Sequence, residues 1–157
     1  MSRIFWDTNI FIYLFEDYGE LSKAAVSLRT RMLARGDQLL TSTLTLGEVL
    51  VKPMEAEDLE LCEKYDRAIT GTSLLVPLDA KAARIYASLR SDRALRAPDA
   101  IQLACAAAAR VDLFITKNEE HLACRIRRKS RECTQGWIIL RGCSSGCGRG
   151  CGSGCRS

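Results

Sequence analysis

Residues 3–15, RIFWDTNIFIYLF, place one carboxylate, Asp7, between two apolar runs. The first run is typical of a buried strand, and the second, which starts at Ile10, predicts a short helix. A charge in such surroundings costs free energy unless it is paired, hydrogen-bonded or bound to a cation. The segment therefore predicts a strand–turn–helix unit with Asp7 at the turn, and it raises the question of what stabilises that carboxylate.

The rest of the chain repeats this alternation of strand and helix patterns. Helices are predicted after every predicted strand except the last, and one of them covers residues 118–129. Gly36 ends one helix, Asp79 caps another, Pro98 opens a third, and a break or bend is predicted near Pro53. Further strands are predicted at QLLTS (38–42), SLLVPL (73–78), LFIT (113–116) and GWIIL (136–140). Alternation of this kind predicts an α/β fold with a mostly parallel sheet.

Length and composition predict one soluble domain. The chain has 157 residues, of which 47% are hydrophobic and 27% charged, and no apolar run is long enough to cross a membrane. Asp7 and Asn9 interrupt the N-terminal apolar run, and no small-residue cleavage site follows, so we expect a cytoplasmic protein without a membrane anchor.

The distribution of cysteine and basic residues predicts a domain over residues 1–140 and a low-complexity, disordered tail over 141–157. Four of the eight cysteines recur every fourth residue in CSSGCGRGCGSGC, which is too rich in glycine for a helix. These thiols could bind zinc or an iron–sulfur cluster, but structural zinc sites usually have paired cysteines across a longer loop. Upstream, CRIRRKSRE (124–132) is either a polyanion-binding cluster or a solvated basic helix surface.

Acidic and amide side chains recur where the predicted strands end. Asp7 ends the first strand, Glu48 falls in the first turn after the second, Asp99 follows Pro98, and Asn118 follows LFIT. Each has a structural explanation: an Asx-type turn for Asp7, a Thr45–Glu48 capping box, and the helix macrodipole for Asp99. Together, however, they would converge on the sheet edge where α/β proteins bind ligands.

Converging carboxylates repel one another unless a cation offsets their charge. Magnesium or manganese is the natural occupant, because hard divalent cations prefer carboxylate and water oxygens. Asp7 is therefore interpreted as a metal ligand. Other chemistries have weak support: His121 is the only histidine, and the sequence contains no G-x-S-x-G elbow, Walker A loop or G-x-G-x-x-G turn.

Four ordered motifs, FWDTNIFIY, TLTLGEVL, APDAIQLACA and LFITKNEEHL, resemble those of PIN-domain ribonucleases, particularly VapC-type toxins. The resemblance covers about residues 3 to 140. It implies a PIN-like three-layer α/β/α sandwich and a magnesium-dependent endoribonuclease, with Mn²⁺ as a substitute metal. It also implies a cognate antitoxin and a homodimer.

The resemblance assigns roles to residues by motif. Asp7, Glu48 and Asp99 would be the catalytic metal-site acids, supported by Thr8, Asn9 and Thr116. The family's fourth acid is replaced here by Asn118, for which Glu119 is a possible substitute. On the basis of charge and not of motif, the RNA backbone would be held by Arg93, Arg96, Arg125 and Arg128.

Two alternatives remain open at this point. The chain could be a PIN nuclease of RNA maturation or decay that has no antitoxin, or it could be a non-catalytic RNA-binding module. The presence of all three acids argues against the second alternative.

Overall fold

The computed structural model describes residues 1–91, 93, 95–117, 132–134 and 137–141, with only the backbone described in the last two segments. The strands are β1 (Arg3–Trp6), β2 (Gln38–Ser42), β3 (Leu74–Val76), β4 (Leu113–Thr116), β5 (Glu132–Thr134) and β6 (Trp137–Arg141). The helices are α1 (Thr8–Phe15), α2 (Glu20–Arg35), α3 (Thr43–Glu55), α4 (Leu59–Thr70), α5 (Ala80–Arg90) and α6 (Ala97–Ala108).

The six strands form one sheet in the order β3-β2-β1-β4-β6-β5. The first four are parallel, whereas β6 pairs antiparallel with β4 and β5 pairs antiparallel with β6. The mostly parallel sheet is thus confirmed, but β5 was missed because its sequence, ECT, contains no apolar run.

Each face of the sheet carries its own apolar core. Successive side chains of a strand point to opposite faces, so Phe5 joins one core while its neighbours Ile4 and Trp6 join the other. The core with Trp6 contains residues of α1 to α4, and the core with Phe5 contains residues of α5 and α6. This arrangement confirms the three-layer α/β/α architecture.

Local signals place most helix ends where they were predicted. Gly36 ends α2 in the left-handed region at φ 69°, and the Asp79 side chain caps α5 by accepting a hydrogen bond from the Ala82 N–H. Pro53 lies inside the last turn of α3, which continues to Glu55 before α4 begins. Helix α1 starts at Thr8, two residues before the predicted start, because Asp7 serves as its N-cap.

Two sequence predictions fall largely outside the described residues. The helix predicted over residues 118–129 is not described, and neither is the chain beyond Arg141. Strand β6 includes Arg141, one residue past the predicted end of the domain. The division into a domain and a tail stays a prediction.

Candidate active site

Asp7 joins the end of β1 to the start of α1. Its Oδ1 accepts a hydrogen bond from the Thr8 N–H at 2.8 Å, and its Oδ2 accepts one from the Thr116 hydroxyl at 2.7 Å. The residue is only 6% exposed. Burial raises the pKa of the Asp7 carboxyl; the two hydrogen bonds oppose this shift, and the Asp99 and Glu48 carboxylates reinforce it.

A cleft of about 210 Å³ opens beside Asp7. Three helices contribute to it, because the N-termini of α1 and α6 and the second turn of α3 meet at this edge of the sheet. The three predicted acids and two of the predicted supporting residues all line it. The lining residues are Asp7, Thr8, Asn9, Ile12, Glu48, Pro98, Asp99 and Gln102.

The predicted position of Glu48 in its helix is wrong by one turn. Ser42, not Thr45, is the N-cap of α3, and its Oγ accepts a hydrogen bond from the Thr45 N–H at 3.3 Å. Glu48 is therefore the sixth residue of the helix and lies in its second turn. Since no capping box forms, the Glu48 carboxylate is available to the cleft, where it accepts a hydrogen bond from the Thr8 hydroxyl.

Asp99 lies in the first turn of α6, as predicted. The helix begins at Ala97, so Pro98 occupies its second position, where a missing N–H costs nothing. Arg96 precedes the helix and is exposed, as is Arg93, and neither lines the cleft. The predicted residues Asn118, Glu119, Arg125 and Arg128, and also His121, lie outside the described part of the chain.

Sequence reasoning missed two buried polar residues behind the acids, Ser42 and Gln102, and it assigned a third, Thr45, the role of a helix cap. One signal could have identified Gln102. It lies three residues after Asp99, on the same helix face, and it is the lone polar side chain in the run AIQLACAAAA. An uncharged amide in an otherwise apolar helix requires hydrogen-bond partners when it is buried.

The donor set fits a hard divalent cation. Among the described residues, no three Asp, Glu, His or Cys side chains lie close enough together to hold a metal ion without other ligands. Magnesium does not need one, because it is usually bound by one or two carboxylates and keeps several waters. The Asp7 carboxylate has about four lone-pair positions, of which the two hydrogen bonds use two. Capacity for a cation therefore remains on the cleft side.

A metal-free protein should tolerate neutralisation of Asp7 well. Because burial raises the pKa of Asp7, its ionisation destabilises the metal-free fold as the pH rises above the ordinary value of 3.8. We expect Asp7→Asn to raise the melting temperature in EDTA, with a gain that grows with pH and then levels off. Thermal unfolding of both proteins between about pH 4 and 8 tests this. A gain that is independent of pH would contradict it.

Comparisons with known proteins agree with this architecture. The family model described as PIN domain matches residues 4–128. A toxin–antitoxin complex from Klebsiella pneumoniae is similar in structure, with 28% identity, a TM-score of 0.58, and coverage of 79% of this chain and 92% of that one.

The crystal structure of VapBC2 from Rickettsia felis, bound to a DNA fragment from its promoter, has the same fold. It gives 17% identity and a TM-score of 0.60, and covers 73% of this chain and 87% of that one. The comparison with curated protein sequences found no match. In the part of the chain that the structure describes, no helix is both long and apolar enough to span a bilayer.

Proposed function

This chain belongs to the PIN-domain family, and we propose on that premise that it is a magnesium-dependent endoribonuclease and the toxin of a toxin–antitoxin pair. One observation carries the catalytic part of the proposal. Asp7, Glu48 and Asp99, which are far apart in sequence, line a single cleft at one edge of the sheet. Carboxylates gathered in this way favour a divalent cation.

In this proposal Asp7, Glu48 and Asp99 hold Mg²⁺, or Mn²⁺ in its place. When bound, the ion supplies the Lewis acidity that phosphodiester hydrolysis requires. Thr116 and the Thr8 N–H fix both oxygens of Asp7, and the Thr8 hydroxyl fixes Glu48, so the carboxylates are oriented before RNA arrives. Asn9 lines the same cleft and is available to the substrate.

The residue that supplies the fourth ligand of the metal site is proposed from the sequence alone. Asn118 follows Thr116 by two residues and would add a neutral oxygen ligand in place of the family's fourth acid. Glu119 is the alternative. A neutral ligand attracts a cation less than a carboxylate does, so a single tightly held ion fits this chain better than a pair.

One partner is proposed on the similarity to the Klebsiella pneumoniae complex, whose description names a toxin and an antitoxin. We propose a cognate antitoxin for this chain as well. The homodimer is proposed only on the resemblance of the sequence motifs to VapC-type toxins. Its RNA substrate would be a polyanion, and the exposed side chains of Arg93 and Arg96 are available to its phosphates. Arg125 and Arg128 extend this set from sequence alone.

Lys117 is a further candidate for RNA contact. It is exposed, it directly follows the Thr116 that bonds Asp7, and its Nζ lies 5.4 Å from the centroid of the Tyr13 ring. A cation beside an aromatic ring can bind a phosphate next to a stacked base. Lys117→Ala should weaken RNA binding by about 3- to 10-fold and reduce its dependence on salt.

The control for this prediction is Lys64→Ala. Lys64 is also an exposed lysine, but it lies on α4, which contributes nothing to the cleft lining. Binding of a labelled single-stranded RNA at several salt concentrations compares the two variants. Equal losses for both would mean that Lys117 contributes only general positive charge.

The proposed function is tested by incubating the purified protein with total cellular RNA, in magnesium and in EDTA, and mapping new 5′ ends. Discrete cleavage sites that appear only with magnesium are expected. Co-purification with a small protein encoded beside it would support the toxin assignment. RNA binding without cleavage in either condition would favour the non-catalytic module.

A further inference from the structure

A buried polar cluster lies directly behind the three acids. It brings together side chains from α1, the end of β2, α3 and α6, and Gln102 at its centre is only 2% exposed. Buried polar groups destabilise a fold unless their hydrogen bonds are made. The members of this cluster satisfy one another: Thr8, Thr41, Ser42, Thr45 and Gln102.

The Gln102 amide connects three separate elements. Its Oε1 accepts a hydrogen bond from the Ser42 hydroxyl at 2.7 Å, and its Nε2 donates to the hydroxyls of Thr8 at 2.8 Å and Thr45 at 2.9 Å. The partners are 60, 94 and 57 residues away in sequence. Gln102 thereby joins α6, the helix of Asp99, to the N-termini of α1 and α3.

These hydrogen bonds have a direction. The Thr8 Oγ accepts from Gln102, and the single Thr8 hydroxyl proton is donated to Glu48 Oε2. The chain of donors therefore runs from Ser42 through Gln102 and Thr8 to the Glu48 carboxylate. Hydrogen bonds aligned in this way polarise and strengthen one another in a buried site.

We propose that Gln102 is a positioning residue of the metal site. It directs the Thr8 hydroxyl onto Glu48 and, through the same amide, sets the spacing between Glu48 and Asp99. An amide suits this role because it offers both a donor and an acceptor without adding charge beside three carboxylates. The inference deepens the proposed function and rests on it.

The test is a titration of the full-length protein with Mg²⁺ in the absence of RNA, followed by thermal shift or calorimetry. Gln102→Met keeps the length of the side chain but removes both polar ends. Loss of an outer partner of a metal ligand typically weakens metal binding 10- to 100-fold. Because Gln102 reaches Glu48 only through Thr8, we expect a loss at the lower end of this range, about 10-fold, for Gln102→Met.

Matched variants separate positioning from general destabilisation. Ile69→Ala also removes a fully buried side chain, but it lies on α4 outside the polar cluster, so it should lower the melting temperature and leave Mg²⁺ affinity unchanged. Thr8→Val breaks the last link while Gln102 is intact and should weaken Mg²⁺ binding. Thr8→Ser keeps the hydroxyl and should bind Mg²⁺ as tightly as the wild type does.

Wild-type Mg²⁺ affinity in Gln102→Met, or in Thr8→Val if the first variant does not fold, would overturn the inference. So would equal losses of affinity in Gln102→Met and Ile69→Ala. A wild-type protein that binds Mg²⁺ but cleaves no RNA would contradict the proposed function. The role of Gln102 would still be decided by comparing the Mg²⁺ affinities of the wild type and Gln102→Met.

Discussion

Replacement of Asp7, Glu48 or Asp99 by alanine is expected to abolish RNA cleavage. Outer partners of metal ligands typically contribute 10- to 100-fold to activity, so removal of a ligand itself should cost about 100-fold or more. The fold should survive each change. The three acids repel one another without a metal, since the Asp99 and Glu48 carboxylates both raise the pKa of Asp7.

This prediction is measured as the initial cleavage rate in saturating magnesium, alongside thermal unfolding in EDTA. Glu63→Ala is the matched control, because Glu63 is an exposed acid on α4 that pairs with Arg67 and lies outside the cleft. Its rate should equal that of the wild type. If two of the three cleft variants kept wild-type rates, the acids would not form a metal site.

Phe5→Ala is expected to have the largest effect on stability. The Phe5 side chain is 0% exposed, lies at the centre of the sheet on β1, and stacks on Phe114 of β4 with ring centroids 5.3 Å apart. Truncation of a buried phenylalanine to alanine typically costs about 3–5 kcal/mol through lost burial and the cavity left behind. That is a large part of the 5–15 kcal/mol that stabilises an ordinary domain.

Urea or thermal unfolding of the metal-free protein measures the loss. Leu33→Ala supplies the control, because Leu33 on α2 is 62% exposed and its truncation should change stability by no more than about 0.5 kcal/mol. A Phe5→Ala protein as stable as the Leu33→Ala protein would show that the core on that face of the sheet repacks around the cavity.

Most of the framework could be predicted from the sequence, because it depends on neighbouring residues. Asp7 follows an apolar strand at the predicted turn, Asp79 caps α5, and Gly36 adopts the positive φ that ends α2. A cap or a turn is decided by the backbone angles and side chains of a few adjacent positions. The same is true of the alternation that identified the α/β class.

Local sequence signals were insufficient where two nearby residues could each cap the same helix. Ser42 and Thr45 are both good helix caps, and the sequence pattern favoured Thr45 because Glu48 follows it. In the structure Ser42 is the N-cap of α3, and the buried Thr45 hydroxyl accepts a hydrogen bond from Gln102. The position of Glu48 in the cleft follows from that choice, which depends on contacts with α6.

The sequence by itself determined which residue types reach the carboxyl edge of the sheet, because parallel strands put their following turns on one side. Only the tertiary structure decided how those residues meet. The Thr8–Glu48 hydrogen bond spans 40 positions, and the Gln102–Thr8 hydrogen bond spans 94. Such pairings have no local sequence pattern, since they depend on how α1, α3 and α6 pack against one sheet. Side-chain partners across that packing are fixed only when the whole core forms.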